Sequence, residues 1–397
     1  MNGFIYLDHG ATTPLDPRVL AAMLPWLRDA YANPSSLYGP AREAHNAVEE
    51  ARAEVAALLG ARPSEIIFTS GGSESINAAL RGIGFAQQLA RSGTQVITTT
   101  IEHQAVLLTC QYLEKFGFDL TYAPVTSEAF VDPEAIAGAI GPETALVSVM
   151  LANNEVGTIE PLQEVARLVH ERGARIGKRI PVHTDAVAAA GQLPLDVRVL
   201  GVDALSLAAH KFGGPKGAGI LYLRRGVPYL SQQTGGGQEH QRRAGTENVA
   251  AIVGTAVALR LATSALAAAA VRLRGLRDRL IEGVLGGLDG AELNGHPTLR
   301  LPGSASFRLT GVDGERLLLE LDREGIAASS GSACADASWE PSHVVLAMGY
   351  TLEQAASSVR FTIGPENTPE EIERVVAALP DIVHRVRCGA SALPCRA

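Results

Sequence analysis

Short apolar runs rich in β-branched residues recur along this chain, at 65–70, 95–100, 145–151, 181–184, 204–207 and 219–223. Each has the length of a buried strand. Between several of them lie longer stretches with helical spacing of apolar residues, at 73–90, 103–116 and 161–172. Strand alternating with helix is the signature of a mostly parallel sheet covered on both faces, because parallel neighbours need a crossover. An α/β fold follows, and with it a place for chemistry. In such sheets ligands gather beyond the carboxyl ends of the strands.

The texture changes near residue 265. An Ala/Arg/Leu-rich helix to about 285 leads into shorter strands, a helix near 314–324 and a last helix near 369–387. With 397 residues the chain exceeds one simple core. The expected division is a large domain over 15–262 and a smaller α+β domain formed by 1–14 together with 263–397. The apolar run 249–259 is broken by Arg260 and is too short for a bilayer, so it reads as a buried or interface helix. No basic stretch followed by an apolar one opens the chain, so a cytoplasmic protein is expected, with no membrane partner. The net charge of −8 argues against direct nucleic-acid binding. Arg172, Arg175, Lys178 and Arg179 form a short basic cluster that reads as helix-end charge. Four scattered cysteines make a disulfide framework unlikely, and Cys388 and Cys395 have no companions for zinc, so no metal is expected.

Six motifs could carry chemistry, five of them at strand ends. Thr69-Ser70-Gly71-Gly72-Ser73-Glu74-Ser75 turns a strand into a helix; free amides there suit a phosphate, with Gly72 and Ser73 at its edge, although Ser73 can equally be an ordinary cap. Asp185, in Val182-His183-Thr184-Asp185-Ala186, is placed to hold a cationic ring nitrogen or to cap a helix. His210-Lys211 precedes Phe212-Gly213-Gly214-Pro215-Lys216-Gly217. Lys211 is suited to a Schiff base with an aldehyde, or is one of two solvated turn lysines. His103 opens a helix after a strand and is an acid/base group or a structural histidine. Asn154 follows the 145–151 strand. Arg360, alone in a strand-like run, suits bidentate carboxylate binding or a strand edge. A phosphate cradle, a ring-nitrogen acid, a Schiff-base lysine and a proton-transfer histidine are together what pyridoxal 5'-phosphate requires.

Cys334 lies in Ser329-Ser330-Gly331-Ser332-Ala333-Cys334-Ala335-Asp336, a run almost without bulk. Nothing there buries the thiol, so it is a surface cysteine or an accessible nucleophile.

These motifs, with Tyr6-Leu-Asp-His-Gly-Ala-Thr-Thr-Pro14, Asn33-Pro-Ser-Ser36, Ala152-Asn-Asn-Glu-Val-Gly157, Arg242-Arg-Ala-Gly-Thr-Glu-Asn248 and Glu340-Pro-Ser-His343, resemble the pyridoxal-phosphate cysteine desulfurases of the NifS/IscS type over nearly the whole chain. The resemblance implies a fold-type-I transferase whose large domain carries a mainly parallel seven-stranded sheet between helices. It implies a homodimer that takes L-cysteine, yields L-alanine and passes the sulfur to an acceptor protein. By it Lys211 holds the cofactor, Asp185 meets the pyridinium nitrogen, and His103 stacks on the ring and moves protons. Gly72, Ser73 and His210 bind the phosphate, joined by Thr246 from the other subunit. Asn154, counted with the cofactor contacts as well, and Arg360 hold the substrate carboxylate, with Asn33 a further substrate contact, and Cys334 takes the sulfur as a persulfide. Delivery then calls for a mobile cysteine loop.

Four places depart from the family pattern. Ala188 replaces a glutamine that bonds the cofactor's 3′-oxygen, and Ala208 replaces a phosphate-binding serine. His240-Gln241 replaces a common Arg-Gly, and Tyr38 stands where a histidine is frequent. Two other readings stay open. One is a different reaction on the same scaffold: transamination, β-elimination or selenocysteine lysis. The other is a non-catalytic scaffold for a sulfur-pathway partner.

Overall fold

The structure is a computed structural model and describes residues 3–330 and 341–389. Its centre is a seven-stranded sheet in the order Ile66–Thr69, Gly219–Leu223, Ala204–Ala208, Val182–Asp185, Thr144–Ser148, Gln95–Thr99, Asp119–Ala123. Every pairing is parallel except the two made by Gly219–Leu223, which is antiparallel to both neighbours. The strands Thr144–Ser148, Ala204–Ala208 and Gly219–Leu223 are buried along their whole length, as apolar runs covered on both faces must be. Six of the seven strands coincide with the apolar runs. The seventh, Asp119–Ala123, is an edge strand with only its last residue buried, so its sequence carries polar and apolar side chains without a continuous apolar run.

Six of the strands therefore end at one edge of the sheet, and the turns that leave it there hold Gly72 and Ser73, His103, Asn154, Ala188, and His210 and Lys211. Gly219 begins its antiparallel strand at this same edge. A Cβ at Gly219 would lie 2.6–2.7 Å from the backbone of Gly71, so the turn can pass over the strand only because residue 219 has no side chain.

One difference from expectation concerns the segment after 248. The apolar run and the Ala/Arg/Leu-rich stretch are a single helix, Val249–Gly287, of 39 residues. Arg260 does not break it; its guanidinium turns outward to pair with Glu54 at 2.6 Å. The helix is long and apolar enough by composition to cross a membrane, yet half of its most apolar stretch is buried within the fold.

Its first half packs on the helices Pro17–Arg28 and Gly39–Leu59 and joins the core under the main sheet. Its second half contributes Leu273, Leu276, Leu280 and Val284 to a separate core. That core is built on an antiparallel sheet of Ser358–Thr362, Ser304–Leu309 and Ala291–Leu293 and is covered by the helices Gly314–Arg323 and Pro369–Arg387. The N-terminal segment belongs to it. Ile5 and Leu7 are buried there, and Ile5–Tyr6 pairs in parallel with Ile326–Ala327.

Candidate active site

A cavity of about 710 Å³ opens at the carboxyl edge of the main sheet. Gly72, Ser73, His103, Asn154, Asp185, His210, Lys211 and Arg360 all line it, although they come from positions spread over nearly 300 residues. Ala188 and Ala208 line it as well.

At one end the helix Gly72–Leu89 begins. Its first-turn amides have no intrahelical acceptors. A Cβ on Gly72 would come within 2.9 Å of Val187 and 3.5 Å of Ala208, so the turn is packed close and only a glycine leaves the backbone open to a phosphate. Glu74 does not compete for that place. Its carboxylate accepts from Ser70 N at 2.7 Å and from Arg243 Nε at 2.9 Å.

Asp185 ends its strand with its carboxyl group buried and one oxygen accepting from Val187 N at 2.9 Å. Burial raises its pKa, opposed by the positive charge of His103 and Lys211. A cation brought against it would recover what burial costs. Lys211 Nζ donates to the carbonyls of Gly10 and, at 2.9 Å, Ala11. The N-terminal segment thus closes over the lysine. His210 Nδ1 meets Thr12 Oγ1 at 3.2 Å, and burial together with the charges of Lys211 and Lys216 pushes its pKa down to about 4, so the ring is neutral near pH 7.

His103 is the N-cap of the helix Gln104–Glu114, its Nδ1 accepting from Ala105 N at 3.0 Å. That bond fixes the ring plane and, in the neutral ring, puts the proton on Nε2. Arg360 is almost fully buried. Nη1 donates to Asn154 O at 2.9 Å and Nη2 to Asp8 Oδ1 at 2.8 Å, while buried Nε has no partner. A buried guanidinium with donors to spare is a receptor for a carboxylate. The donor set therefore fits pyridoxal phosphate: an amine for its aldehyde, a buried carboxylate for its ring nitrogen, open helix amides for its phosphate.

Two expected residues are elsewhere. Thr246 and Asn33 are exposed and do not line the cavity of their own chain. Asn33 Oδ1 accepts from Ser35 N at 2.9 Å. Cys334 lies outside the described residues, as does Cys395. The stretch before it is anchored at the site: Ser329 and Arg360 exchange backbone hydrogen bonds of 3.1 and 2.6 Å. Of the cysteines in the described residues, Cys110 is buried with its thiol pushed up to about 12 by burial, which leaves it inert. Cys388 is exposed on the end of the last helix.

The motif reading missed four contributors. Asp8 was only a landmark, yet it holds Arg360. Glu102 is fully buried, its Oε1 accepting from Thr99 Oγ1 and Met150 N, each at 2.9 Å, and its pKa pushed up to about 8 by burial. His343 donates from Nε2 to Glu102 O at 2.9 Å, and Ser342 donates to buried Glu155. The signal available was the Pro-Ser-His run itself, but which loop it would meet depends on the tertiary fold.

Residues 5–375 match the family model described as aminotransferase class-V. The chain is 47% identical over 389 residues to a protein named cysteine desulfurase IscS from Clostridium botulinum strain Hall, covering 98% of this chain and 96% of that one. It is 46% identical over 386 residues to another of that name from Methanosarcina thermophila, covering 97% and 93%. Among solved structures it is similar to one titled NifS-like protein, with a TM-score of 0.89, 38% identity and coverage of 96% and 99%. It is also similar to SspA in complex with cysteine, with a TM-score of 0.78, 33% identity and coverage of 91% and 99%.

Proposed function

The chain belongs to the class-V aminotransferase family and is a pyridoxal-phosphate-dependent cysteine desulfurase, and on that premise we propose how its residues divide the work. Bound in the cavity, pyridoxal phosphate supplies an electron sink for negative charge developing at the substrate α-carbon. Lys211 Nζ holds the aldehyde, Asp185 keeps the ring nitrogen protonated, and Gly72, Ser73 and His210 hold the phosphate. Arg360, already oriented by Asp8 and Asn154 O, takes the carboxylate of L-cysteine through its remaining donors. His103, with its ring held by Ala105 N, moves protons from Nε2.

The Cys334 thiolate then attacks the substrate sulfur. The new S–S bond forms as the Cβ–S bond breaks, its electron pair stays with carbon, and a proton completes alanine. Ser329, five positions before Cys334 in the sequence, exchanges backbone hydrogen bonds with Arg360 at the cavity. The single observation that carries the reading is the convergence of Lys211, Asp185, His103 and Arg360 on one cavity.

The protein works as a homodimer that passes sulfur on to an acceptor protein. Tyr31, Leu37 and Tyr38 flank Asn33 and are 84%, 89% and 57% exposed, an apolar surface that a second subunit would cover. Thr246 and Asn33 then complete the partner's cavity. Residues 15–262 form the cofactor domain, and 1–14 with 263–397 form the domain that carries Cys334. Incubation with L-cysteine tests the scheme. Alanine and a persulfide mapped by mass spectrometry to Cys334 are expected, and both are lost in Cys334→Ala. Full alanine production by that variant would exclude the persulfide route and favour another class-V reaction.

A further inference from the structure

A second large recess lies away from the active site. It has a volume of about 950 Å³ and lies where the strands Val182–Asp185 and Ala204–Ala208 begin and Gly219–Leu223 ends, a full strand length away from Asp185 and Ala208. Arg62, Arg179, Arg198, Arg224 and Arg225 line it together with His170, in a chain whose net charge is −8.

The acids nearby do not use up this charge. Asp203, fully buried, is the keystone of one wall. It accepts from His170 Nε2 at 3.0 Å, Arg179 Nη2 at 2.8 Å and Val182 N at 3.1 Å, and pairs with Arg224 Nε at 3.2 Å. Glu65 sits under the other wall, and both its oxygens are engaged by backbone amides, those of Arg62 at 2.9 Å and Arg225 at 2.8 Å. Asp196 pairs with Arg198 at 2.6 Å. The side chains of Arg62 and Arg225 have no acidic partner among the described residues. Five guanidinium groups thus face three carboxylates, and the two unmatched ones are hung from a common carboxylate that fixes their backbone. Gly60, Gly201 and Gly226 complete the rim with φ of 68°, 73° and 89°, conformations that keep side chains from filling it.

We infer that this recess binds a small polyanion of the pyrophosphate class, with one phosphate on the Arg179–Arg224 wall and the next on the Arg62–Arg225 wall. Guanidinium forks are matched to phosphate oxygens. A single phosphate engages one arginine pair, whereas linked phosphates offer oxygens to both pairs that line the recess. A concave basic wall also concentrates field on such a ligand. The shared chemistry could come from free pyrophosphate or from a nucleoside diphosphate.

Calorimetric titration of the cofactor-loaded enzyme with inorganic pyrophosphate tests this, since the phosphate cradle of the active site is then filled. One pyrophosphate per chain is expected, held at least tenfold more tightly than orthophosphate. The double variant Arg62→Ser/Arg225→Ser should bind at least tenfold more weakly while its alanine production from cysteine stays unchanged. A parallel titration with ADP separates the sources: tighter binding than pyrophosphate assigns a nucleotide, equal or weaker binding assigns the free anion. Absence of binding at millimolar pyrophosphate, or an isotherm unchanged in the double variant, overturns the site.

Discussion

Ala208 puts a methyl group on the wall of the cofactor cavity, 3.5 Å from where a side chain on Gly72 would be, at a position where the family's pattern places a hydroxyl. A hydrogen bond to a charged phosphate is worth roughly 1.5–3 kcal/mol. Ala208→Ser should therefore slow dissociation of pyridoxal phosphate about 10- to 100-fold, read from the decay of its absorbance during dialysis; equal rates would remove the claim. Glu102 carries a pH effect. Its folded pKa is raised to about 8 by burial from an ordinary 4.5. The folded protein therefore keeps a proton that the unfolded chain releases. Its stabilising contribution is complete below about pH 4.5 and is lost as pH rises toward 8, at up to about 1.4 kcal/mol per pH unit. Between pH 6 and 7.5 wild type should lose about 2 kcal/mol more stability than Glu102→Gln in urea unfolding. Parallel pH dependence of the two proteins would mean that Glu102 is ionised in the fold.

At the scale of elements, two segments hold their shape through tertiary anchors. Glu239, His240 and Gln241 have φ of 48°, 55° and 64°, a left-handed turn made without glycine. It is held by Glu239, whose buried carboxylate pairs with Arg52 Nη1 at 2.7 Å and Nη2 at 3.0 Å and accepts from Phe68 N at 2.9 Å. A left-handed residue costs roughly 1–2 kcal/mol, and glycine gives back part of that in unfolded-state entropy. Gln241→Gly should stabilise the protein by about 0.5–1 kcal/mol, visible as a higher urea midpoint; a lower midpoint would show that the turn is unstrained. The second segment is Pro341–His343, which resumes the chain after the stretch holding Cys334. His343 is tied to Glu102 O, and its Nδ1 lies 3.4 Å from Gln104 Nε2, so it braces both neighbours of His103. His343→Ala should slow persulfide formation about 10- to 100-fold with little change in thermal stability. His343→Asn, which keeps a donor for Glu102 O, should recover part of it. Identical rates in all three proteins would make the contact incidental.

For the whole molecule, the cavity of one chain is lined by residues from both cores, with Arg360 supplied by the smaller sheet and Lys211 by the turn after the main one. Substrate binding is thus tied to how the two cores sit against each other, with Gly10 and Ala11 of the N-terminal segment lying between them over Lys211. The proposed dimer adds a second level. Chains carrying Lys211→Ala and chains carrying Thr246→Ala should each be poor enzymes, and co-expression should restore about one competent site per mixed dimer, measured as alanine production. No recovery beyond the sum of the parents would place Thr246 outside the partner's cavity.

Much of this was legible in the linear chain. Apolar runs at strand length, five of the six followed by Gly72 and Ser73, His103, Asn154, Asp185 or Lys211, announce a parallel sheet with chemistry at one edge. The reason is that parallel strands all end on the same side of their sheet. What the chain could not disclose is pairing at a distance. The edge strand Asp119–Ala123 has no continuous apolar run because one edge needs none. Asp8 and Arg360 stand 352 residues apart, and only the packing of two cores brings them to 2.8 Å. Arg179 looked like helix-end charge, and only the fold sets it beside Asp203 and across a recess from Arg62 and Arg225. Periodicity reports which face of an element is buried; which charged groups meet there is decided by the three-dimensional closure of the chain.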